Sequence, residues 1–264
     1  MSNLTIAAHD SRTMLRRNLR HMQRYPSLTL MIIGIPLVFL LMFVYVFGGT
    51  MGTTLGVTGE GRSAYVEYLV PGILMIAIAG VVQGTAISVA MDMTEGIVDR
   101  FRTMSISRGA VLGGHVIGSM IQSLLTLTVV MAVAILIGFR PSAGPLEWFA
   151  AIGVLAMITF AITWLAVALG MVADSVETAS NTPMPLMLLP FFGSGFVPTD
   201  TMPAGLRLFA EYQPFTPFIE TIRGLLTNAE VGNSFAHAVA WSIVITLLGY
   251  VWAMRSYERG AERV

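Results

Sequence analysis

Long apolar runs alternate with short polar breaks along most of this chain. Five runs, roughly 28–48, 69–91, 112–138, 148–172 and 237–254, have the length and apolarity of membrane spans. A helix needs about 20 apolar residues to cross a hydrocarbon core of about 30 Å. A sixth run, about 184–198, is shorter and is broken by Pro185 and Pro190. Proline is tolerated in a membrane helix where neighbouring protein satisfies the freed backbone groups. Taken from 176 to 198, this run is counted as the fifth of six spans. The expected fold is therefore an all-α membrane protein with six transmembrane helices in one domain, 28–260, behind a polar segment, 1–27. No internal repeat is evident.

Composition agrees with that pattern. The chain has 264 residues, 55% hydrophobic and only 11% charged, with a mean hydropathy of +0.75. A soluble domain carries about 25% charged residues. The net charge is zero, so bulk charge implies no nucleic-acid partner. The absence of cysteine excludes disulfide frameworks, thiolate zinc sites and cysteine nucleophiles. The first apolar run is about 21 residues long. It exceeds the roughly 7–15 residues of a cleavable signal core and reads as a span.

All 15 basic residues are arginine, and their placement orients the spans. With six spans and the N-terminus inside, 11 arginines fall inside: Arg12, Arg16, Arg17, Arg20, Arg24, Arg100, Arg102, Arg108, Arg255, Arg259 and Arg263. Four fall outside: Arg62, Arg140, Arg207 and Arg223. That bias follows the positive-inside rule and places both termini in the cytoplasm. A five-span reading weakens it.

The polar segments carry further pattern. Residues 9–24, "HDSRTMLRRNLRHMQR", read as an amphipathic helix with Arg12, Arg16, Arg17 and Arg20 on one side and Leu15, Leu19 and Met22 beside them. Such a helix lies in the headgroup layer as a topology anchor, and it can also frame a docking surface. Between spans 2 and 3, "TEGIVDRFRTMSISRG" holds Glu95, Asp99, Arg100, Arg102 and Arg108. Ile97, Phe101 and Met104 form an apolar stripe at helical spacing. A solvated topogenic loop needs the arginines but no stripe, whereas a helix-in-groove contact needs both. Residues 193–227 carry Pro198, Pro203, Pro214 and Pro217 around two short amphipathic pieces, 204–212 and 216–226. Neither piece can span. A re-entrant extracellular helical hairpin before the last span is expected, with an ordinary external loop as the plainer reading.

Within the spans, Gly80-x-x-x-Gly84 and Gly114-x-x-x-Gly118 allow close helix approach. Gln83, His115, Ser119, Gln122, Ser123, Thr159 and Thr163 are intramembrane polar groups expected to face the bundle interior. His115 stands alone and reads as structural. No acidic or basic residue is expected deep in a span, which disfavours a self-powered ion-coupled transporter. The chain has no G-x-x-x-x-G-K-[ST] phosphate loop, so energy for uphill movement would come from another polypeptide. An intramembrane enzyme would need a catalytic constellation. His115 with Ser119 is the one nearby pair, and no oxyanion motif accompanies it. A membrane assembly protein without transport remains a third class.

Two stretches carry a resemblance. "EGIVDRFRTMSISRGAVLGGHVIG", 95–118, resembles the charged loop of the type-2 (ABC-2) permeases of ABC transporters, with Ser107-Arg108 opening span 3. "FFGSGFVPTDTMPAGLRLFAEYQPFTPFIETIRGLL", 191–226, resembles that family's signature through Ser194-Gly195, Pro198, Met202-Pro203, Pro214 and Arg223. Gln213 stands where asparagine is usual. "DRFRTMSISR" is most similar to the daunorubicin-resistance type of drug-efflux permease, although that type more often has proline near Met104 or Ser105.

The resemblance implies a transport subunit of an ATP-driven exporter in the bacterial inner membrane, with no enzyme activity of its own. It implies a second permease copy and a separate ATP-binding cassette subunit, which would hold the ATP and magnesium; no cofactor is expected on this chain. The cargo would be a hydrophobic drug or antibiotic, or else a lipid-linked glycan. Glu95, Ile97, Asp99, Arg100, Phe101, Arg102 and Met104 would couple to the ATP-binding subunit, together with the N-terminal helix. Pro198, Pro203, Pro214 and Arg223 would shape the outer gate.

Overall fold

The computed structural model describes residues 26–49, 62–96 and 108–261, and all structural statements concern these. Helix α1 (Pro26–Met42) runs on through a π-helical turn, Phe43–Phe47. Helices α2 (Arg62–Thr94), α3 (Arg108–Leu136) and α4 (Pro145–Val172) follow. Short pieces come next: α5 (Val176–Asn181), α6 (Met184–Leu188) and 3-10 turns at Leu189–Phe192 and Thr199–Thr201. Helices α7 (Ala204–Tyr212), α8 (Phe215–Thr227) and α9 (Ser234–Ala261) complete the chain.

Local chemistry explains several boundaries. Gly96, at φ +67°, ends α2 in the left-handed conformation that suits glycine. Pro145 sits in the first turn of α4, where no N–H is needed, and Glu147 lies beside it at the positive end of the helix dipole. Ser175 caps α5 by accepting the Thr178 N–H at 3.1 Å. Asn228, at φ 51°, closes α8.

Five helices are long and apolar enough to cross a membrane, not six: Leu30–Phe47, Ser63–Thr94, Leu112–Leu136, Pro145–Val172 and Ser234–Glu258. The expected span 176–198 is not among them. Pro183, Pro185 and Pro190 fall within eight residues. Each lacks a donor and crowds the preceding turn, and the longest unbroken helix here has six residues. The expected re-entrant hairpin is also not found. Helix α7 is exposed except at Ala210, whereas α8 is buried sideways against α2, α4 and α9. The expected amphipathic helix within 1–27 lies outside the described residues, except for Pro26 and Ser27, which open α1.

Contacts fix the helix directions. Thr85 meets Ser119 and Asp92 meets His115, so α2 and α3 are antiparallel. Helices α4 and α9 are parallel. A Cβ on Gly249 would lie 2.7 Å from the Leu165 nitrogen, and Ala253 and Tyr257 cluster with Ala168 and Met171. Two parallel helices in sequence require the chain to return along the bundle between them. The short pieces make that return beside α2, from Ser180 against Gln83 to Gly195 against Gly72. Phe191 and Phe196 then pack on Phe39 and Phe43, with ring centroids 5.2 and 4.8 Å apart. One end of the bundle, the foot, therefore gathers Pro26, Thr94, Arg108, Val172 and Ala261. The other end, the head, gathers Phe47, Arg62, Leu136, Pro145 and Ser234.

Helix α2 is the buried spine, while α1 and α9 turn most of their surface outward. Lipid is as apolar as leucine, so helix association in a membrane rests on close packing and hydrogen bonds. The close packing is at glycines. A Cβ on Gly72 would sit 2.8 Å from the Gly195 Cα, and one on Gly170 would sit 2.6 Å from the Ala86 oxygen. Gly80, one of the spaced glycines, has open space where its Cβ would be.

Candidate functional site

Of the expected coupling residues, the structure describes Glu95, which lies at the foot. Glu95 is exposed in the turn that follows α2. Ile97, Asp99, Arg100, Phe101, Arg102 and Met104 lie outside the described residues, as do Arg12, Arg16, Arg17 and Arg20. What the structure does describe is the pair of helix ends from which segment 97–107 departs and to which it returns.

A polar seam joins those two helices. Helix α2 runs on past residue 91, so Asp92 lies within a spanning helix and is only 6% exposed. Asp92 stands in the last turn of α2, just beyond the expected run 69–91, and not deep in the span. His115 Nε2 lies 3.1 Å from Asp92 Oδ2, so His115 is not alone. Two turns further in along α2, the Thr85 and Ser119 hydroxyls are hydrogen-bonded at 2.7 Å, and Thr85 also reaches the Val81 carbonyl at 2.9 Å. Beyond Ser119, Ser123 Oγ is buried without a partner among the described residues, as is His115 Nδ1. An acidic residue inside a span is costly, and pairing is the usual solution. The pairing is readable in principle. In an antiparallel helix pair, residues equidistant from the connecting segment face one another, as 85 and 119 do, and 92 and 115 nearly do.

The head gathers much of the signature. Arg223, mostly buried, donates to the Ser194 carbonyl at 2.7 Å and the Tyr68 carbonyl at 3.2 Å. Its guanidinium carbon stands 3.9 Å from the centre of the Tyr68 ring, and it pairs with Glu220. A delocalised cation over an aromatic face with charge-assisted hydrogen bonds is a strong local fastening. Gly195 beside Ser194 is the residue packed on Gly72. Gln213, buried, accepts the Phe215 N–H at 3.0 Å and so starts α8, much as a shorter asparagine would. Its amide also packs on Gly193, where a Cβ would lie 2.7 Å away.

The prolines are not brought together in the same way. Pro198 precedes the 3-10 turn, Pro203 precedes α7, and Pro214 precedes α8. Each sets a helix start, where its missing N–H costs nothing. Pro203 is exposed, and nearby Arg207 pairs with Asp200 and Glu211 on the surface. Among the described residues, no group of three or more histidine or acidic side chains could hold a metal ion.

Five of the described helices are long and apolar enough to cross a membrane, and the signature around Arg223 is fastened at one end of their bundle. The sequence profile of the ABC-2 type transporter family matches residues 10–227, and the chain belongs to that family. It is 30% identical over 216 residues to the daunorubicin resistance ABC transporter permease protein DrrB1 of Streptomyces coeruleorubidus, covering 81% of this chain and 74% of that one. It is 21% identical over 254 residues to the probable doxorubicin resistance ABC transporter permease protein DrrC of Mycobacterium tuberculosis, covering 95% and 90%. A match at 23% identity to ABC transporter G family member 20 of Dictyostelium discoideum covers 73% of this chain and 27% of that protein.

Proposed function

We propose that this chain is the membrane permease of an ATP-driven exporter of hydrophobic drug-like compounds, working as a pair of copies with a separate ATP-binding subunit. The observation that carries this reading is the likeness to the daunorubicin resistance permease over most of both chains. The foot is its cytoplasmic end. Both the start of α1 and the end of α9 lie there, so the 11-to-4 division of arginines applies to five long helices. Segment 97–107 takes up the motion of the ATP-binding subunit through Ile97, Phe101 and Met104, and its arginines orient the contact. The basic N-terminal segment supports it in the headgroup layer. At the head, Arg223 and the helix starts set by Pro198, Pro203 and Pro214 shape the outer exit. ATP favours one access state only by binding it better than the other, and the foot is where that bias enters this chain.

The test is purification with the ATP-binding subunit encoded beside this gene, followed by efflux of an anthracycline from cells. The reading expects a stable complex and export that fails in Phe101→Asp/Arg102→Glu. No complex, or full export by that double variant, contradicts it.

A further inference from the structure

Helix α2 is fastened to its neighbours in two different ways. Against α4 and the 193–196 turn it is packed backbone to backbone at Gly170 and Gly72, with no room for one added carbon. Such contacts have one geometry. Against α3 it is held by directional polar pairs, Asp92–His115 and Thr85–Ser119, inside an apolar core. Polar pairs are discrete. They are either made or broken, which is what a two-state element requires. The seam also has spare capacity in this state, because His115 Nδ1 and Ser123 Oγ are buried without partners among the described residues. Buried unsatisfied groups are uncommon and need an explanation. Ser123 lies one turn beyond Ser119 on the same buried face of α3.

Position along the chain supplies the rest. Asp92 stands five residues before segment 97–107, and His115 eight residues after it. A displacement of that segment reaches this pair before the Thr85–Ser119 pair, with Leu112 and Met93 packed in the apolar cluster beside it. The helices packed on α3 are α1, α2 and α4. Helices α1 and α4 bring no titratable group to this end; α2 brings Asp92 and, exposed, Glu95; Tyr257 of α9 is buried in the same apolar cluster.

Resting on the coupling role proposed for segment 97–107, we infer that the α2–α3 seam is a clasp that opens in each transport cycle, with Asp92 and His115 as positioning residues that turn movement of the segment into separation of the two helices. The glycine-packed α2–α4 face stays closed while the clasp works. Asp92 and His115 do not touch the cargo or the ATP-binding subunit; they act through the helices they join.

The test uses the permease with its ATP-binding subunit in lipid vesicles, reading subunit binding, ATP hydrolysis and transport separately. Asp92→Asn and His115→Ala are expected to keep the subunit bound and hydrolysing while transport per ATP falls about tenfold. The exchange Asp92→His/His115→Asp is expected to restore most of it. Unchanged transport in both single variants, loss of subunit binding, or an exchange no better than the singles overturns the clasp. A further variant is independent of those side chains. In Thr85→Cys/Ser119→Cys, on a chain with no other cysteine, oxidation is expected to stop transport and a reductant to restart it. Equal transport by the oxidised and reduced forms overturns the clasp. Failure of the unaltered permease to bind its subunit would instead sink the coupling role itself.

Discussion

The two ends of helix α2 are built on different physics. At the head, Gly72 meets Gly195 at backbone distance while Arg223 ties Tyr68 and Ser194 together. At the foot, the same helix meets α3 through Asp92–His115 and Thr85–Ser119. The head is fastened by shape, with a mostly buried cation bridging two backbone carbonyls. At the foot, the α3 face is fastened by pairs that can be undone, while the α4 face is packed at Gly170 on Ala86. A transporter powered from one side needs that asymmetry: a rigid body to carry motion, and a joint where motion enters.

The comparison breaks most sharply at the head glycines. Gly72→Leu would drive a side chain into the Gly195 backbone, which cannot move aside as a flexible side chain could. Overpacking typically costs about 1–3 kcal/mol and occasionally more; with backbone on both sides, the expected outcome is loss of folded protein on size-exclusion chromatography in detergent. Arg223→Ala comes next. It strips a partner from the Tyr68 and Ser194 carbonyls and from Glu220. Unsatisfied buried groups cost about 1–3 kcal/mol each, so a fall of several degrees in melting temperature is expected. Arg223→Lys should recover only part of it, because lysine lacks the planar fork.

The seam should behave differently. Thr85→Val with Ser119→Ala removes one intramembrane hydrogen bond, worth about 0.6 kcal/mol on average. The melting temperature should move by a degree or two, while transport falls far more than stability does. If both fall in proportion, the seam is ordinary packing. The smallest effect is expected at Gly80, where a Cβ meets nothing within 4 Å. Gly80→Ala should be neutral, or stabilising by up to about 1 kcal/mol through helix propensity, on the same thermal scan.

Much of this fold is legible in the sequence. Three of the five long helices, α1, α3 and α4, begin and end within a turn or so of their apolar runs, because length and hydropathy alone decide whether a segment can span. The apolar run understates helix α2. Arg62–Tyr68 and Asp92–Thr94 are polar enough to look like flanks, yet Tyr65 is buried and Asp92 is paired. The run 176–198 misleads because apolarity does not reveal what three clustered prolines do to a helix. The return path there is held by contacts to Gln83 and Gly72, about 100 residues away or more. The motif singles out Arg223, but its grip on Tyr68 and Ser194 joins residues with no local spacing between them. Asp92 and His115 escape notice as partners when each is weighed singly rather than placed near one another on the two antiparallel helices that flank one segment.

The proposed function requires that cargo move only with energy delivered by an ATP-binding subunit. The direct measurement is anthracycline movement across vesicles reconstituted with this chain, with and without that subunit. Movement is expected only when both chains and ATP are present. Movement by this chain alone, driven by an ion gradient, would contradict it.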